Sequence, residues 1–267
     1  MNDSDALAPL VLHSTDARGV VTLTLNRPQA FNALSEAMLE ALQAALENVA
    51  ADDSARVLVL AANGKAFCAG HDLKEMRTEP AHVSQTYYEK LFAQCGRMMM
   101  SLHRLPVPVL ARVQGIATAA GCQLVAMCDL AVASSDARFA VSGVNLGLFC
   151  STPSVALSRN LPRKAAFEML VTGDFISAEE ALARGLVNRV AAPDQLDAAV
   201  EALVSRIAAK PRVALAMGKA LFYRQLDVGM EAAYADAAHT MACNMMDSHA
   251  LEGVQAFIDK RPPNWAA

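Results

Sequence analysis

Basic residues are few in this sequence, and they are nowhere clustered. The 267 residues include 23 Lys or Arg against 27 Asp or Glu, for a net charge of −4. No basic run is longer than the pairs Arg163-Lys164 and Lys260-Arg261. Such a chain has no positive field that would concentrate a polyanion. We therefore expect no nucleic-acid partner.

Long apolar runs are missing as well. Gln123 and Asp129 interrupt the most hydrophobic stretch, so no segment approaches the roughly 20 apolar residues that cross a bilayer. The chain begins MNDSD, without the basic start of a secretory signal. We expect no membrane association and, by default, a cytoplasmic location.

The cysteines lack the spacing of a metal site. There are six of them, with no C-x-x-C pair. We expect no metal centre and interpret the cysteines as reduced, buried small hydrophobic residues.

Apolar residues are abundant, at 54% of the chain. A chain of this length can bury a large core, and one domain with a smaller helical appendage is the natural division. The high apolar fraction also predicts buried contacts between subunits.

The first half of the sequence reads as strands followed by helices. Residues 10–15 and 20–25 are β-branched segments around a turn, which predicts a hairpin. Ser35 can cap an amphipathic helix, and an apolar strand follows at residues 57–62. A long amphipathic helix is predicted from about Val83 to Leu105, after which the pattern repeats. A later helix is predicted at residues 152–159.

Residues 113–129, VQGIATAAGCQLVAMCD, join a strand to a helix through small residues. The pattern places Ala117, Ala119, Ala120 and Gly121 at the start of the helix. Small side chains allow close approach to the backbone, and the unpaired N–H groups at a helix start can hold an anionic oxygen. On these residues alone, a tightly packed turn without a ligand is the favoured interpretation.

Residues 63–73, NGKAFCAGHDL, form a second such junction. The two stretches together resemble the paired oxyanion-hole motifs of the crotonase superfamily, the enoyl-CoA hydratase and isomerase family. Three further landmarks follow the family order: LNRPQAFNAL at residues 25–34, MLVTG with ISA at 169–178, and the segment 252–261. The resemblance implies that the backbone N–H groups of His71 and Ala120 bind the thioester oxygen of an acyl-CoA.

The resemblance also implies a fold, a ligand and an assembly. The expected fold is α/β, a spiral of ββα units over residues 1–195 with a helical trimerisation region at 196–267, assembled as a homotrimer or a dimer of trimers. Coenzyme A would enter as part of the substrate, with no permanently bound cofactor. Lys260 matches a position that contacts the CoA phosphates of a neighbouring subunit, although a solvated lysine at a helix end explains it equally well. The expected contacts to the acyl-CoA are Arg27, Ala30, Ala69, Gly70, Asp72, Leu73, Ile116, Gly121 and Lys260.

The family's hydratases use two glutamates, and neither is found here. Gln123 and Gly143 occupy the matching positions. Gln123 can orient a water but cannot take its proton, and Gly143 can do neither. Each acid/base group contributes about 10² to 10⁴ in rate, so losing both predicts a large loss of hydration.

Two other side chains could contribute chemistry. Ser151 stands where some relatives have an aspartate, and it could instead cap the helix predicted at residues 152–159. His71 could be protonated near neutral pH and face an anionic substrate group, or it could face solvent from its loop.

Three functions therefore remain open from the sequence. The first is an enzyme of the hydratase/isomerase family with an altered acid/base set. The second is a decarboxylase, since residues 69–72 and 144–147 resemble those of methylmalonyl-CoA decarboxylase, which however has a glutamate for Gln123 and a tyrosine for Cys150. The third is a non-catalytic acyl-CoA-binding or scaffold protein.

Overall fold

The structure is a computed structural model that describes residues 8–78, 80 and 84–265. The strands are β1 Val11–Thr15, β2 Val20–Leu25, β3 Val57–Ala62, β4 Ala66–Cys68, β5 Val109–Val113, β6 Ile116–Thr118, β7 Leu130–Ser134, β8 Arg138–Ala140, β9 Ile176–Ser177 and β10 Arg189–Ala191. The helices are α1 Glu36–Ala51, α2 Leu73–Met76, α3 Ser84–Arg104, α4 Ala120–Met127, α5 Ser151–Asn160, α6 Arg163–Thr172, α7 Ala178–Arg184, α8 Leu196–Ala208, α9 Arg212–Gln225, α10 Met230–Met245 and α11 Ser248–Ile258.

The strands form two sheets. The larger has the order β1-β2-β3-β5-β7-β10, and the smaller has the order β4-β6-β8-β9. Among the strands of the described residues, only the first hairpin, β1 with β2, and the pair β8 with β9 are antiparallel. From β3 to β8 successive strands alternate between the sheets, and the pairs β3 and β4, β5 and β6, and β7 and β8 each precede a helix. This is the predicted spiral of ββα units.

The larger sheet is covered on both faces. Helix α1 packs its apolar stripe, including Met38, Leu42 and Leu46, into the main core. Helix α8 covers the other face with Leu196, Val200 and Val204. Strand β3 lies between these layers and is buried at every residue, which explains why its sequence is apolar throughout. The predicted division at residue 195 falls immediately before α8 and stays a prediction.

Several predicted boundaries are confirmed and others are wrong. Ser35 caps α1 by accepting a hydrogen bond from the Met38 N–H at 3.2 Å. Ala117 lies in strand β6, so the following helix begins only at Ala120. Helix α5 begins at Ser151 itself, which makes Cys150 the capping residue and excludes Ser151 from that role. Val83 and the first residues, MNDSD, lie outside the described residues.

Within the part of the chain that the structure describes, no helix is long and apolar enough to span a bilayer. No cluster of three His, Cys, Asp or Glu side chains there could hold a metal ion. All six cysteines are free thiols, and five of them are buried. Cys243 is exposed on α10, so the expectation of burial is wrong for that residue.

Candidate active site

The first predicted donor belongs to the loop between β4 and α2. The Leu34 N–H donates to the Gly70 carbonyl at 2.8 Å, and the Asp72 N–H donates to the Leu34 carbonyl at 3.2 Å. Both bonds use the neighbours of His71. The N–H of His71 is therefore directed away from Leu34.

The second predicted donor is at the start of α4. Ala120 is the first helical residue, so its N–H has no acceptor within the helix. Ala119 before it has φ +50 and ψ −122, a conformation that L-residues rarely adopt. Such strain is held in place by surrounding structure and is concentrated at functional sites.

The two loops are packed against each other, and glycines make this possible. A Cβ on Gly70 would lie 3.2 Å from the Ala120 nitrogen and 2.9 Å from the Ala119 Cβ. A Cβ on Gly121 would lie 2.0 Å from the Cys68 carbonyl oxygen, closer than two atoms can approach. Gly70 also has φ +89, which favours glycine. No larger residue can replace either glycine without moving the loops.

A buried asparagine supports the segment that leads into the loop between β4 and α2. Asn32 has no exposed surface, and its amide donates to the carbonyls of Asn63 at 2.8 Å and Ala66 at 2.9 Å. Its carbonyl accepts from the Arg27 N–H at 2.8 Å. Residues 27–34 are thereby tied to the segment that leads to His71. The sequence identifies this segment as a family landmark, but it does not indicate a separate role for Asn32.

Arg27 and Asp72 form an ion pair behind the same loop. Their side chains meet at 2.7 Å, and Asp72 also caps α2 by accepting from the N–H groups of Lys74 and Glu75. These partners lower the pKa of Asp72, although its partial burial acts in the opposite direction. The pair fixes α2 relative to residues 27–34.

A cavity of about 280 Å³ opens at the two donor loops. Six of the residues predicted for the site line it: Ala69, His71, Leu73, Ala120, Gly143 and Ser151. Six more of its residues supply an apolar wall that sequence reasoning missed: Met76, Phe92, Leu146, Leu148, Phe149 and Pro153. These six residues come from α2, α3, the segment before α5 and α5 itself. The periodicity of α3 could have indicated that one face is buried, but not that Phe92 faces a cavity.

The other predicted residues lie outside this wall. Gln123 is buried in α4 one turn beyond the donor, and its side-chain oxygen has no hydrogen-bond partner among the described residues. Gly70 and Gly121 form the loop contact described above, and Lys260 is exposed after α11. The remaining four are near the loops but do not line the cavity: Arg27, Ala30, Asp72 and Ile116. Their proposed contacts with coenzyme A stay predictions.

Gly143 is enclosed more tightly than its sequence position suggests. A Cβ at this residue would lie 2.5 Å from the Leu148 carbonyl oxygen and 2.7 Å from the Cys150 sulfur. Burial also raises the pKa of the Cys150 thiol, which disfavours a thiolate at this wall. Ser151 is exposed, and its hydroxyl donates to the Phe149 carbonyl at 3.4 Å.

The His71 ring faces inward, so its placement on an outward-facing loop is wrong. It contacts the edge of Phe92 with the ring centroids 5.4 Å apart. Burial lowers the pKa of His71, and the nearby Leu34 backbone offsets only part of that effect. Burial therefore disfavours the protonated ring, and a role of His71 towards an anionic substrate group stays a prediction. No Asp, Glu, Lys or Arg is found among the described residues that line the cavity.

Comparison with known proteins identifies the family. A family model described as Enoyl-CoA hydratase/isomerase matches residues 15–267. The chain belongs to the enoyl-CoA hydratase/isomerase family. A solved structure of an enoyl-CoA hydratase from Mycobacterium smegmatis is 70% identical, with a TM-score of 0.95 over 97% of this chain and all of that one.

Vertebrate family members are also similar over nearly the whole chain. Enoyl-CoA hydratase domain-containing protein 3, mitochondrial, from Mus musculus is 43% identical, covering 97% of this chain and 85% of its own length. The crystal structure of the human protein of that name has a TM-score of 0.91 at 42% identity, covering 96% of this chain and all of that one. The crotonase-type fold expected from the sequence is confirmed.

The same names contradict the cytoplasmic location. The similar proteins from mouse, rat, frog and human are all called mitochondrial. The expected cytoplasmic location is therefore wrong.

Proposed function

We propose that this family member binds an acyl-CoA thioester and polarises its carbonyl through the N–H groups of His71 and Ala120. The observation that carries the proposal is the meeting of the two donor loops at one apolar cavity. Each well-directed N–H donor at such a site contributes roughly 2.7 to 4 kcal/mol when charge develops on oxygen. The acyl group would occupy the wall of Met76 and Phe92, and coenzyme A would be bound only as part of the substrate.

Ordinary hydration is expected to be slow, because it also needs a group that takes a proton from water. The described cavity wall offers no carboxylate. Burial lowers the pKa of His71, which makes its ring a weaker base, and raises the pKa of Cys150, which disfavours its thiolate. A decarboxylase needs no such base, since loss of carbon dioxide itself forms the enolate. It would have to accept a carboxylate beside a wall without Lys or Arg, which makes it the weaker alternative. A non-catalytic binding protein would share the donors but lack turnover.

Calorimetry with acetoacetyl-CoA tests the binding proposal. We expect saturable heat with the wild-type protein and with His71→Ala, because the donor is a main-chain N–H. Gly121→Val should abolish binding, since its side chain cannot fit against Cys68. No heat at millimolar ligand with folded wild-type protein would refute the proposal. Turnover against a panel of acyl-CoAs at high enzyme concentration would separate the enzyme from the non-catalytic alternative.

A further inference from the structure

The buried end of the cavity is formed by two side chains from different helices, Met76 on α2 and Phe92 on α3. The opposite end is an exposed rim, where Leu146 and Phe149 are 68% and 45% exposed, whereas Met76 is only 8% exposed. Coenzyme A is large and charged, so it has to remain at the rim. The apolar acyl chain then extends from the donor loops towards the buried end, where it is removed from water.

The buried end lies close to the proposed donor. The ring of His71, whose main-chain N–H is that donor, contacts Phe92 with the ring centres 5.4 Å apart. A histidine ring centre lies within about 5 Å of its own backbone nitrogen. The donor nitrogen is therefore within about 10 Å of the centre of the Phe92 ring. An extended chain advances about 1.2 Å per bond, so roughly eight bonds span that distance.

Phe92 is held in this position by its neighbours. Its ring stacks on Tyr88, one turn earlier on α3, with the ring centres 6.3 Å apart and the ring planes 22° from parallel. The Tyr88 hydroxyl donates to the Met76 carbonyl at 3.0 Å, which ties α3 to the end of α2. A ligand that turned the Phe92 ring aside would break its contacts with both His71 and Tyr88. The ring therefore acts as a fixed wall.

We propose that Phe92 is a specificity-determining residue that ends the acyl site and restricts this protein to acyl-CoA thioesters with short or medium straight chains, of at most about eight carbons. The inference rests on the proposed binding of an acyl-CoA at the same cavity. Each methylene that enters the apolar part of the cavity should tighten binding about fourfold. A methylene that would have to pass the Phe92 ring finds no further apolar surface and adds nothing.

The test is a chain-length series of saturated ligands. Calorimetry measures the Kd of acetyl-CoA, butyryl-CoA, hexanoyl-CoA, octanoyl-CoA, decanoyl-CoA and dodecanoyl-CoA with the wild type, Phe92→Ala and Phe149→Ala. Phe149→Ala is the matched control, because it removes the same phenyl ring from the rim of the same cavity. Phe92→Leu is a second variant, which opens part of the space with a smaller loss of packing if the alanine variant does not fold.

In the wild type, affinity should rise about fourfold per methylene up to a limit of at most about eight carbons and then stop rising. In Phe92→Ala the rise should continue for at least about two further carbons, because removal of the ring leaves a cavity that the chain can fill. Phe92→Leu should move the limit in the same direction. Phe149→Ala should leave the limit where it is, with any loss of affinity equal for every chain length.

Three results would overturn the inference while leaving acyl-CoA binding in place. They are a rise in affinity that continues to dodecanoyl-CoA in the wild type, an unchanged limit in the folded Phe92 variants, and a limit that Phe149→Ala moves as far as Phe92→Ala does. Failure of every ligand to bind the folded wild type would refute the proposed function and this inference together.

Discussion

Gly143 leaves no room for the carboxylate that hydration would use at that position. The Leu148 carbonyl oxygen and the Cys150 sulfur occupy the space that a side chain would need. Gln123 is buried and outside the cavity wall, so a carboxylate placed there would be desolvated and would hold its proton more firmly. A glutamate at residue 143 would therefore clash with its neighbours, and a glutamate at residue 123 would carry a desolvated carboxylate.

We therefore predict that the protein hydrates crotonyl-CoA at least about a thousandfold more slowly than a family member with both glutamates. Gln123→Glu should raise the rate only slightly, and Gly143→Glu should disturb the segment from Leu148 to Cys150 instead of restoring activity. Steady-state kinetics with crotonyl-CoA measures both. A wild-type turnover near the usual range of about 1 to 10³ per second would contradict this prediction and show that another group transfers the proton.

His71 should make the protein sensitive to mild acid. Burial holds its folded-state pKa below the ordinary value of 6.5. Below that value the unfolded chain takes up a proton that the folded chain does not, so the free energy of unfolding falls as the pH drops. Above it both states are neutral, and the contribution is constant.

The expected result is a shallower loss of stability in His71→Leu than in the wild type between about pH 7.5 and 5.5, measured by urea unfolding. His103, whose pKa burial also lowers, stays in both proteins and cancels in the comparison. Parallel stability curves would mean that the His71 ring is protonated as readily in the folded state as in the unfolded state.

Sequence reasoning was accurate where chemistry depends on the backbone. Gly70 and Gly121 were expected at sites of close approach, and each is found with no space for a Cβ. Gly143 differs, because its φ is not positive and the obstacle to a side chain is crowding alone. Crowding comes from residues distant along the chain or across a loop, and a local pattern does not encode it.

At the scale of elements, α9 is fastened to the core by a buried ion pair. Lys219 meets Asp129 at 2.7 Å, with only 7% and 14% of the two side chains exposed. The lysine also donates to the carbonyls of Leu102 and Val107, while Asp129 accepts from the Tyr223 hydroxyl. The network joins α9 to the end of α3 and to the turn before β7.

Lys219→Met should destabilise the protein by about 3 to 5 kcal/mol, because it leaves the Asp129 carboxylate buried without its cation. The matched control is Arg224→Met on the same helix, which removes the ion pair with Asp236 at the surface and should change stability little. Chemical denaturation measures both. Equal effects of the two substitutions would show that burial does not increase the contribution of the Lys219–Asp129 pair to stability.

Element boundaries could be predicted where a side chain marks them. Ser35 marks the start of α1, and the Ser177–Glu180 capping box marks the start of α7. Their side-chain hydrogen bonds follow from residue types that the sequence shows. Helix α5 has no capping side chain at Cys150, so its first residue could not be read from the sequence. Phe92 was missed for a related reason, since the partner of a helix face is set by tertiary packing.

At the scale of the whole molecule, the C-terminal helices present large apolar side chains to solvent in the single chain. Tyr234 and Met241 on α10, Met246 after it, and Phe257 on α11 are each more than 70% exposed. Exposed apolar surface of this extent is typical of protein interfaces. The prediction from the sequence, a trimer or a dimer of trimers, is consistent with it and stays a prediction.

Light scattering of the purified protein at micromolar concentration should therefore give three or six times the chain mass. Phe257→Glu should lower that mass, since it places a charge on the most exposed of these side chains. A monomer at micromolar concentration would contradict the prediction.

The order of the landmarks along the chain was enough to predict the fold. The location was predicted wrongly, since no feature of the folded domain determines it.

The most direct measurement for the polarised thioester is infrared difference spectroscopy of butyryl-CoA labelled with ¹³C at the thioester carbonyl. Two N–H donors that withdraw electron density weaken the C=O bond. On binding, the labelled stretch should move to lower frequency, and the shift should be the same in His71→Ala, which keeps the main-chain donor. A bound carbonyl that absorbs at the frequency of the free ligand, under conditions where calorimetry shows saturation, would contradict the proposed polarisation of the thioester.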